Sequence, residues 1–256
     1  MNKTLIEWCD YSWNPVTGCL HACRDTYCYN TMKNTAPLNR FGARLKNDNR
    51  ETVFDKNWRQ RENGQCHIAE RGESYPYGYD PTFYPHRLTE PHSVKTGQKI
   101  FTVDTGDLFG EWVPAEWIEQ VLAVAVECDW HTFKFLTKNP ERMLDFTFPA
   151  NSWVGTTTIS DNDKWRADII KQVNAPIRFL SIEPLHGPLT FDFSGLQWIT
   201  VGAQTGRNVV FPDKEWVDGV LQSAAENNIP VFVKDNLKVH YDYADMKQFP
   251  EGIKGS

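Results

Sequence analysis

Short apolar segments rich in β-branched and aromatic residues recur along the chain, and several are followed by segments with helical periodicity. Buried parallel strands read as continuous apolar runs, and Trp198-Ile-Thr-Val is a clear example. Strands that alternate with helices predict a parallel α/β sheet. We expect seven strands: Thr4 to Trp8, Lys99 to Val103, Thr132 to Leu136, Ser152 to Gly155, Ile177 to Ser181, Gln197 to Val201 and Pro230 to Val233.

Three helices are predicted between these strands. After Pro114, apolar residues repeat at helical spacing from Trp117 to Ala125. A second apolar stripe runs from Trp165 to Val173, and a third runs from Trp216 to Ala224 after Asp213, a favourable N-cap residue. We expect all three stripes to face the core.

Two segments interrupt this alternation. Pro184 to Gly195 joins two predicted strands without a helix, and Asn39 to Gln98 is a long insertion rich in Asn, Arg, Tyr, Gly and Pro. A structureless loop of that length is uncommon in a compact domain, so we expect the insertion to carry small helices and to cover a site. The chain length suits a single domain, residues 1–256, with residues 39–98 as a lid within it.

Composition narrows the class of protein. Hydrophobic residues make up 40% of the chain and charged residues 23%, with no apolar run long enough for a membrane span and no signal peptide. Without an export signal, the six cysteines are expected to be reduced thiols in a cytoplasm. We therefore expect a cytoplasmic protein with no membrane partner.

Charge argues against a protein that coats duplex DNA, because the net charge is -6 and non-specific binding needs phosphate neutralisation. The distribution is uneven, since residues 40–61 carry seven basic side chains against three acidic ones. Two interpretations stay open for this segment: a solvated face, or a docking surface for a phosphate-bearing substrate.

The strongest chemical signal is a group of three cysteines within ten residues: Cys19, Cys23 and Cys28. Three thiolates in one short loop suit a 4Fe-4S cluster whose fourth iron stays open for chemistry. The loop follows the first predicted strand, which would set it at the carboxyl edge of the sheet, where ligands bind in α/β folds. A structural zinc site completed by His21 or Cys9 is the alternative, although such sites usually use paired cysteine knuckles.

These residues resemble the radical S-adenosylmethionine superfamily, whose signature is Cys-x3-Cys-x-aromatic-Cys. The interval between Cys23 and Cys28 has four residues here instead of the usual two, while Tyr27 keeps the aromatic position. Nearly the whole chain resembles, more closely, a phage-associated group of radical-SAM-like proteins. The matching segments are Ile6-Glu-Trp-Cys-Asp-Tyr-Ser-Trp-Asn-Pro-Val-Thr-Gly-Cys, Cys28-Tyr, Asp107-Leu-Phe, Phe135-Leu-Thr-Lys-Asn-Pro-Glu-Arg-Met, Arg178-Phe-Leu-Ser-Ile-Glu-Pro-Leu and Val201-Gly-Ala-Gln-Thr-Gly.

The resemblance implies a fold and a reaction. The fold would be a partial or distorted (β/α) barrel of about six to seven mostly parallel strands, with the long insertion after its first βα unit. Cys19, Cys23 and Cys28 would hold a 4Fe-4S cluster, which would cleave S-adenosylmethionine to a 5′-deoxyadenosyl radical that abstracts hydrogen from the substrate. An electron donor such as flavodoxin or ferredoxin is implied, and an isomerase, mutase or lyase is the favoured type of enzyme.

The other predicted site residues follow strand ends. Thr105, Gly106 and Asp107 occupy the place of the superfamily's Gly-Gly-Glu segment, with Asp107 accepting from the methionine amino group; a helix-capping turn is the alternative. We expect Glu183 and Lys138 to be catalytic, although Glu183 could instead form a structural ion pair with a base such as Arg178, and Lys138 could be a surface lysine. The remaining cofactor-binding candidates are Tyr27, Thr156, Thr158 and Gln204.

The substrate is inferred from the basic segment and the aromatic insertion, because phosphates need cations and bases stack on aromatic rings. A nucleotide or DNA fits, and the phage association suggests a modified pyrimidine, such as a thymine with an amino-acid adduct, that undergoes rearrangement or carbon-bond formation. A tRNA or a peptide is the alternative substrate. A non-catalytic phage or host interaction protein is the alternative function, since fold alone does not establish activity.

Overall fold

A computed structural model describes residues 1–21, 66–73, 75–77, 80–204, 209–238, 241–243 and 246–251. The main sheet has eight strands, which are in spatial order β1 (Asn2–Lys3), β2 (Tyr11–Trp13), β6 (Lys99–Thr102), β7 (Thr132–Thr137), β8 (Ser152–Thr157), β9 (Ile177–Ile182), β10 (Trp198–Val201) and β11 (Val231–Val233). β1 pairs antiparallel with β2, and every other neighbouring pair is parallel.

A second, smaller sheet has three strands in the order β3-β5-β4: β3 (Val16–Thr17), β4 (His67–Ile68) and β5 (Thr82–Phe83). Two of its strands, and two 3-10 turns at Pro85–Arg87 and Pro91–Ser93, come from the predicted insertion. β3 follows β2 directly, so this sheet joins the insertion to the segment that enters the cysteine loop.

Helices flank the main sheet: α1 (Ala115–Glu127), α2 (Lys164–Ile170), α3 (Lys214–Glu226) and the short α4 (Asp235–Lys238). The three predicted helices are confirmed, but the stripe expected on α2 is wrong at its first residue, because Trp165 is 45% exposed and the buried residues of α2 are Ala167 and Ile170. Asp213 precedes α3 but makes no side-chain capping bond. The connection from β9 to β10 contains no helix, as predicted. Among the described residues, no helix is both long enough and apolar enough to cross a membrane.

The fold class is α/β with a mostly parallel sheet, as expected. The sheet is open, because β1 and β11 are its edges and no described strand joins them. Six of the seven predicted strands are confirmed, with ends that differ by up to two residues.

The first predicted strand, Thr4 to Trp8, is wrong. That segment forms no strand, and β2 occupies the place in the sheet that was expected for it. Its apolar residues do not share an environment, because Leu5 is fully exposed whereas Trp8 is buried. The apolar pattern therefore comes from a segment that crosses the sheet, not from a strand within it.

Strand register assigns alternating residues to two faces of the main sheet. One face, with Val154 and Ile199, packs against the helices in the larger core. The opposite face surrounds the buried Lys134 with an aromatic cluster, to which six buried rings belong: Trp8, Phe101, Trp153, Phe179, Trp198 and Phe232.

Residues 4–10, here called the N-terminal strap, lie across this aromatic face. The backbone N–H of Asp10 donates to the first residue of β6 at 2.8 Å. The Glu7 carboxylate accepts from the backbone N–H of Asp235, just beyond β11, at 3.0 Å. Between them, the Trp8 carbonyl accepts from the Lys134 amine at 2.8 Å. The strap is thus the loop of the β1–β2 hairpin: its two ends meet beside β6, where the Thr4 N–H donates to the Asp10 carbonyl at 3.2 Å. Its tip at Glu7 reaches across the aromatic face to β11.

Candidate functional site

The cysteine loop begins at the carboxyl edge of the main sheet. Gly18 lies in the left-handed region, with φ of 90°. Its N–H donates to the Thr105 carbonyl at 3.1 Å, and its own carbonyl accepts from the Asp107 N–H at 3.3 Å. Because Thr105 to Asp107 follow β6, these bonds set Cys19, the next residue, at that edge. Cys19 is half-buried, and Cys23, Cys28 and Tyr27 lie outside the described residues.

Gly106 makes this approach possible. A Cβ on Gly106 would lie 2.5 Å from the Gly18 carbonyl oxygen and 3.0 Å from the Gly18 nitrogen, so the two backbones could not keep their present contact. Gly106 thus has a packing role against the cysteine loop; its predicted contact with a cofactor stays a prediction.

Asn14 braces the same turn, and sequence reasoning missed it. Its side-chain oxygen accepts from the Thr105 N–H at 3.1 Å and from the Thr105 hydroxyl at 2.9 Å. Its amide nitrogen donates to Asp104 at 2.5 Å. Asn14 could have been found from its position between β2 and Pro15, since polar side chains at strand ends often order the loops that follow.

Asp107 is the most densely hydrogen-bonded carboxylate of the site. Its Oδ1 accepts from the Phe109 N–H at 3.0 Å and from the Thr137 hydroxyl at 2.7 Å. Its Oδ2 accepts from the Lys138 N–H at 3.0 Å and lies 2.8 Å from His21 Nε2. Burial opposes ionisation of this carboxyl, which is 4% exposed, but the bonds from His21, Lys138 and Thr137 outweigh it and hold its pKa below the ordinary value.

His21 links the cysteine loop to this carboxylate. Its ring also lies edge-on to Trp112, with centroids 4.8 Å apart. The zinc alternative names His21 as a possible fourth ligand. The structure engages Nε2 with Asp107, so that nitrogen is not open to a metal in this arrangement.

The alternative interpretation of Thr105 to Asp107 as a helix-capping turn is wrong. α1 begins at Ala115 and its N-cap residue is Pro114, well beyond Asp107. The carboxylate instead closes a local turn through Phe109 and joins β7 through Thr137.

Glu183 forms a second polar group at the same edge. Its Oε1 accepts from the Thr200 hydroxyl at 2.6 Å, and its Oε2 accepts from the Lys234 amine at 2.8 Å. Both side chains of this ion pair are 17% exposed. Burial lowers the pKa of Lys234, but the Glu183 charge and hydrogen bond more than compensate, so that pKa is raised. A Cβ on Gly202 would come within 2.9 Å of the Lys234 side chain, which shows how closely it packs.

The base paired with Glu183 is therefore Lys234. Arg178, named as an example from the sequence, instead donates to the Gln197 side chain at 3.1 Å. Lys234 follows β11 and Glu183 follows β9, so the pair joins the ends of two strands that flank β10.

The two predicted threonines, Thr156 and Thr158, differ in their hydrogen bonding. The Thr156 hydroxyl donates to the Thr137 carbonyl at 2.8 Å. The Thr158 hydroxyl is buried and has no hydrogen-bond partner within the part of the chain that the structure describes. Thr157, which sequence reasoning passed over, pairs in register with Ser181 and thus shares the face of Glu183, two residues further on.

The remaining candidates lie near these two groups. Lys138 contributes its backbone N–H to Asp107, and its side chain is half-buried. Gln204 is buried beyond β10, where its N–H donates to the Val210 carbonyl at 3.1 Å. Residues 40–61, the basic segment, lie outside the described residues.

The described residues hold no group of three side chains suited to a metal ion. Of the three loop cysteines, Cys19 belongs to that part of the chain, and Cys23 and Cys28 lie outside it.

The fold and the site define an α/β protein with an open, mostly parallel sheet and two polar groups at its carboxyl edge, one of which anchors a cysteine loop. Residues 3–249 match a family described as a protein of unknown function, DUF5131, and the chain belongs to that family. No curated protein and no solved structure matches the chain.

Proposed function

We propose that this protein is a radical S-adenosylmethionine enzyme, with Cys19, Cys23 and Cys28 as the ligands of a 4Fe-4S cluster. The observation that carries the proposal is the docking of the cysteine loop on the carboxyl edge of a parallel sheet, through Gly18 and Thr105 to Asp107. Ligands of α/β folds bind at that edge. The open sheet would then be a partial barrel of the superfamily's type, with the N-terminal strap across its interior.

The residues present fit the cofactors. Three thiols are the donor set that such clusters use. The buried Thr158 hydroxyl, unpartnered among the described residues, is a hydrogen-bonding group available to S-adenosylmethionine. When bound, the cluster supplies an electron that cleaves S-adenosylmethionine and so generates a hydrogen-abstracting radical. Tyr27 and Gln204 are the further residues proposed to contact this cofactor, and Lys138 is proposed to be catalytic.

Glu183 is proposed to meet the substrate. Thr200 and Lys234 hold its carboxylate in one orientation, and partial exposure leaves it accessible from the edge of the sheet. The end of β9 lies two strand spacings, or about 10 Å, from the end of β7, where Thr137 contacts Asp107. Of these two polar groups, we therefore assign contact with the substrate to the Glu183 group alone.

A pyrimidine in DNA is the proposed substrate, in the form of a thymine with an amino-acid adduct, and an isomerase, mutase or lyase is the proposed type. The support is a pair of half-buried rings at the β4 edge of the small sheet, where His67 of β4 and Tyr77 stack with centroids 3.8 Å apart. Such side chains stack on bases without reading sequence. A tRNA or a peptide remains the alternative substrate.

Anaerobic reconstitution with iron and sulfide tests the cofactor. We expect about four irons per chain and broad absorbance at about 400 nm. With reductant, the protein should convert S-adenosylmethionine to 5′-deoxyadenosine, and flavodoxin or ferredoxin should replace the chemical reductant. Cys19→Ala should lose both signals.

Cys128→Ala is the matched control, because Cys128 is a buried cysteine at the end of α1, away from the carboxyl edge. Stoichiometric zinc without iron would establish the zinc alternative. An intact cluster that forms no 5′-deoxyadenosine with DNA, tRNA or peptide would favour the interaction protein. Mass spectrometry of nucleosides from treated DNA identifies the product, and unchanged nucleosides beside a modified tRNA or peptide would redirect the substrate.

A further inference from the structure

Two independent anchors of the cysteine loop converge on one short segment. The first is the backbone of Gly18, which bonds to Thr105 and Asp107. The second is the side chain of His21, which bonds to the Asp107 carboxylate. Cys19 lies between the two anchors in sequence. Its backbone is therefore restrained on both sides by the same turn.

We propose that Asp107 is a positioning residue that acts through His21 to hold the start of the cysteine loop, residues 18–21, at the carboxyl edge of the sheet. The carboxylate is itself fixed, because Thr137 and Lys138 donate to it from the end of β7 and Phe109 donates from its own turn. Because Asp107 is fixed to the end of β7, its bond to His21 also fixes residues 18–21 relative to the sheet.

The hydrogen bond between His21 and Asp107 is suited to a positioning role. Hydrogen bonds to a charged, buried partner are stronger than those between neutral groups. With four described donors around it, the carboxylate has little remaining capacity for a further amino group. This differs from the contact with methionine that the resemblance implies for Asp107. The inference rests on the proposed function only in naming the cysteine loop as the cluster loop.

Hydrogen-deuterium exchange of the metal-free protein tests the anchor directly. We expect the backbone amides of residues 18–21 to exchange about tenfold faster in His21→Ala than in the wild type, since the loop then opens locally. His21→Gln keeps an N–H donor at similar reach and should restore protection to within about twofold. Asp107→Asn should resemble His21→Ala, and the His21 variants keep the test decisive if Asp107→Asn does not fold.

The matched control is His92→Ala. His92 pairs with Glu127 at 2.9 Å, nearly the same separation, but at the other end of α1 from the loop. It should leave exchange at residues 18–21 unchanged. Equal exchange in His21→Ala and wild type would overturn the inference, and so would a His21→Gln variant that exchanges as fast as His21→Ala.

A second measurement uses the reconstituted protein. The electron paramagnetic resonance spectrum of the reduced cluster should change in His21→Ala and return toward the wild-type spectrum in His21→Gln. An identical spectrum in all three proteins would count against positioning of the cluster ligands. A wild type that binds no iron would instead refute the proposed function, and the exchange experiment would still decide the anchor.

Discussion

At the scale of single residues, Lys134 is the least expected feature. It lies in the middle of β7, is completely buried, and donates to the Trp8 carbonyl. Its amine is 4.2 Å from the Trp153 ring centroid and 4.5 Å from that of Trp198. Aromatic faces stabilise a cation that has lost its water. Burial nevertheless dominates and lowers the pKa of Lys134 to about 8.

This burial predicts a dependence of stability on pH. Above pH 8 the folded chain releases the Lys134 proton, while the unfolded chain keeps it to about 10.5. The free energy of unfolding should thus rise above pH 8, by up to about 1.4 kcal/mol per pH unit relative to Lys134→Met. Urea denaturation of both proteins at pH 7, 8 and 9 measures the difference.

The comparison is best made at pH 9 or below. The pKa of the buried Cys9 thiol is raised to about 12, so above pH 9 the unfolded chain ionises first and stability falls. Lys164→Met, which removes a surface lysine of α2, serves as the control. Parallel pH profiles for wild type and Lys134→Met would contradict the prediction.

At the scale of elements, close backbone contacts decide how neighbouring segments meet. The turn after β6 and the loop after β3 touch through Gly106 and Gly18, where no side chain fits. Gly219, in the interior of α3, has no atom within 4 Å of an added Cβ. Alanine at Gly106 therefore tests the effect of steric contact, and alanine at Gly219 tests the effect of backbone freedom alone.

We predict opposite effects for alanine at these positions. Gly106→Ala should lower the free energy of unfolding by about 2 kcal/mol or more, because backbone atoms must move. Gly219→Ala should raise it by about 0.5–1 kcal/mol, since alanine favours the helix. Thermal or urea denaturation measures both. A stabilising Gly106→Ala would show that the loop adapts without strain.

At the scale of the whole molecule, the N-terminal strap covers the face of the sheet that the helices leave open. Trp8 inserts into the aromatic cluster, with its ring 5.0 Å from Phe101 and 5.8 Å from Trp198. The Glu7 carboxylate holds the far end of the strap near β11. One short segment thus joins both halves of the sheet.

Removal of the Trp8 ring should therefore destabilise the whole domain. We expect Trp8→Ala to lower the free energy of unfolding by about 3–5 kcal/mol, through lost burial and a cavity beside Lys134. Trp165, which is 45% exposed on α2, is the matched control, and Trp165→Ala should change stability by less than about 1 kcal/mol. Similar losses in the two variants would argue against the strap as a structural element.

Sequence reasoning succeeded where the signal is local. The apolar runs of β7 to β11 and the helical stripes of α1 and α3 reflect burial within one element, so their periods appear directly in the chain. The error at Thr4 to Trp8 has the same origin, because an apolar segment does not reveal whether it pairs in a sheet or crosses it. The cysteine loop does begin at the carboxyl edge, but not after the strand expected from chain order, because it follows β3 of the small sheet and reaches that edge through Gly18.

The sequence alone determined the α/β class, the order of most elements and the residue types available to a site. The tertiary structure decided which of those residues meet: His21 with Asp107 across 86 positions, Glu183 with Lys234 across 51, and Trp8 with Lys134 across 126. Such pairs depend on strand register and on the path of the connecting segments. Periodicity encodes which residues are buried, but it carries no information about which distant neighbours they contact.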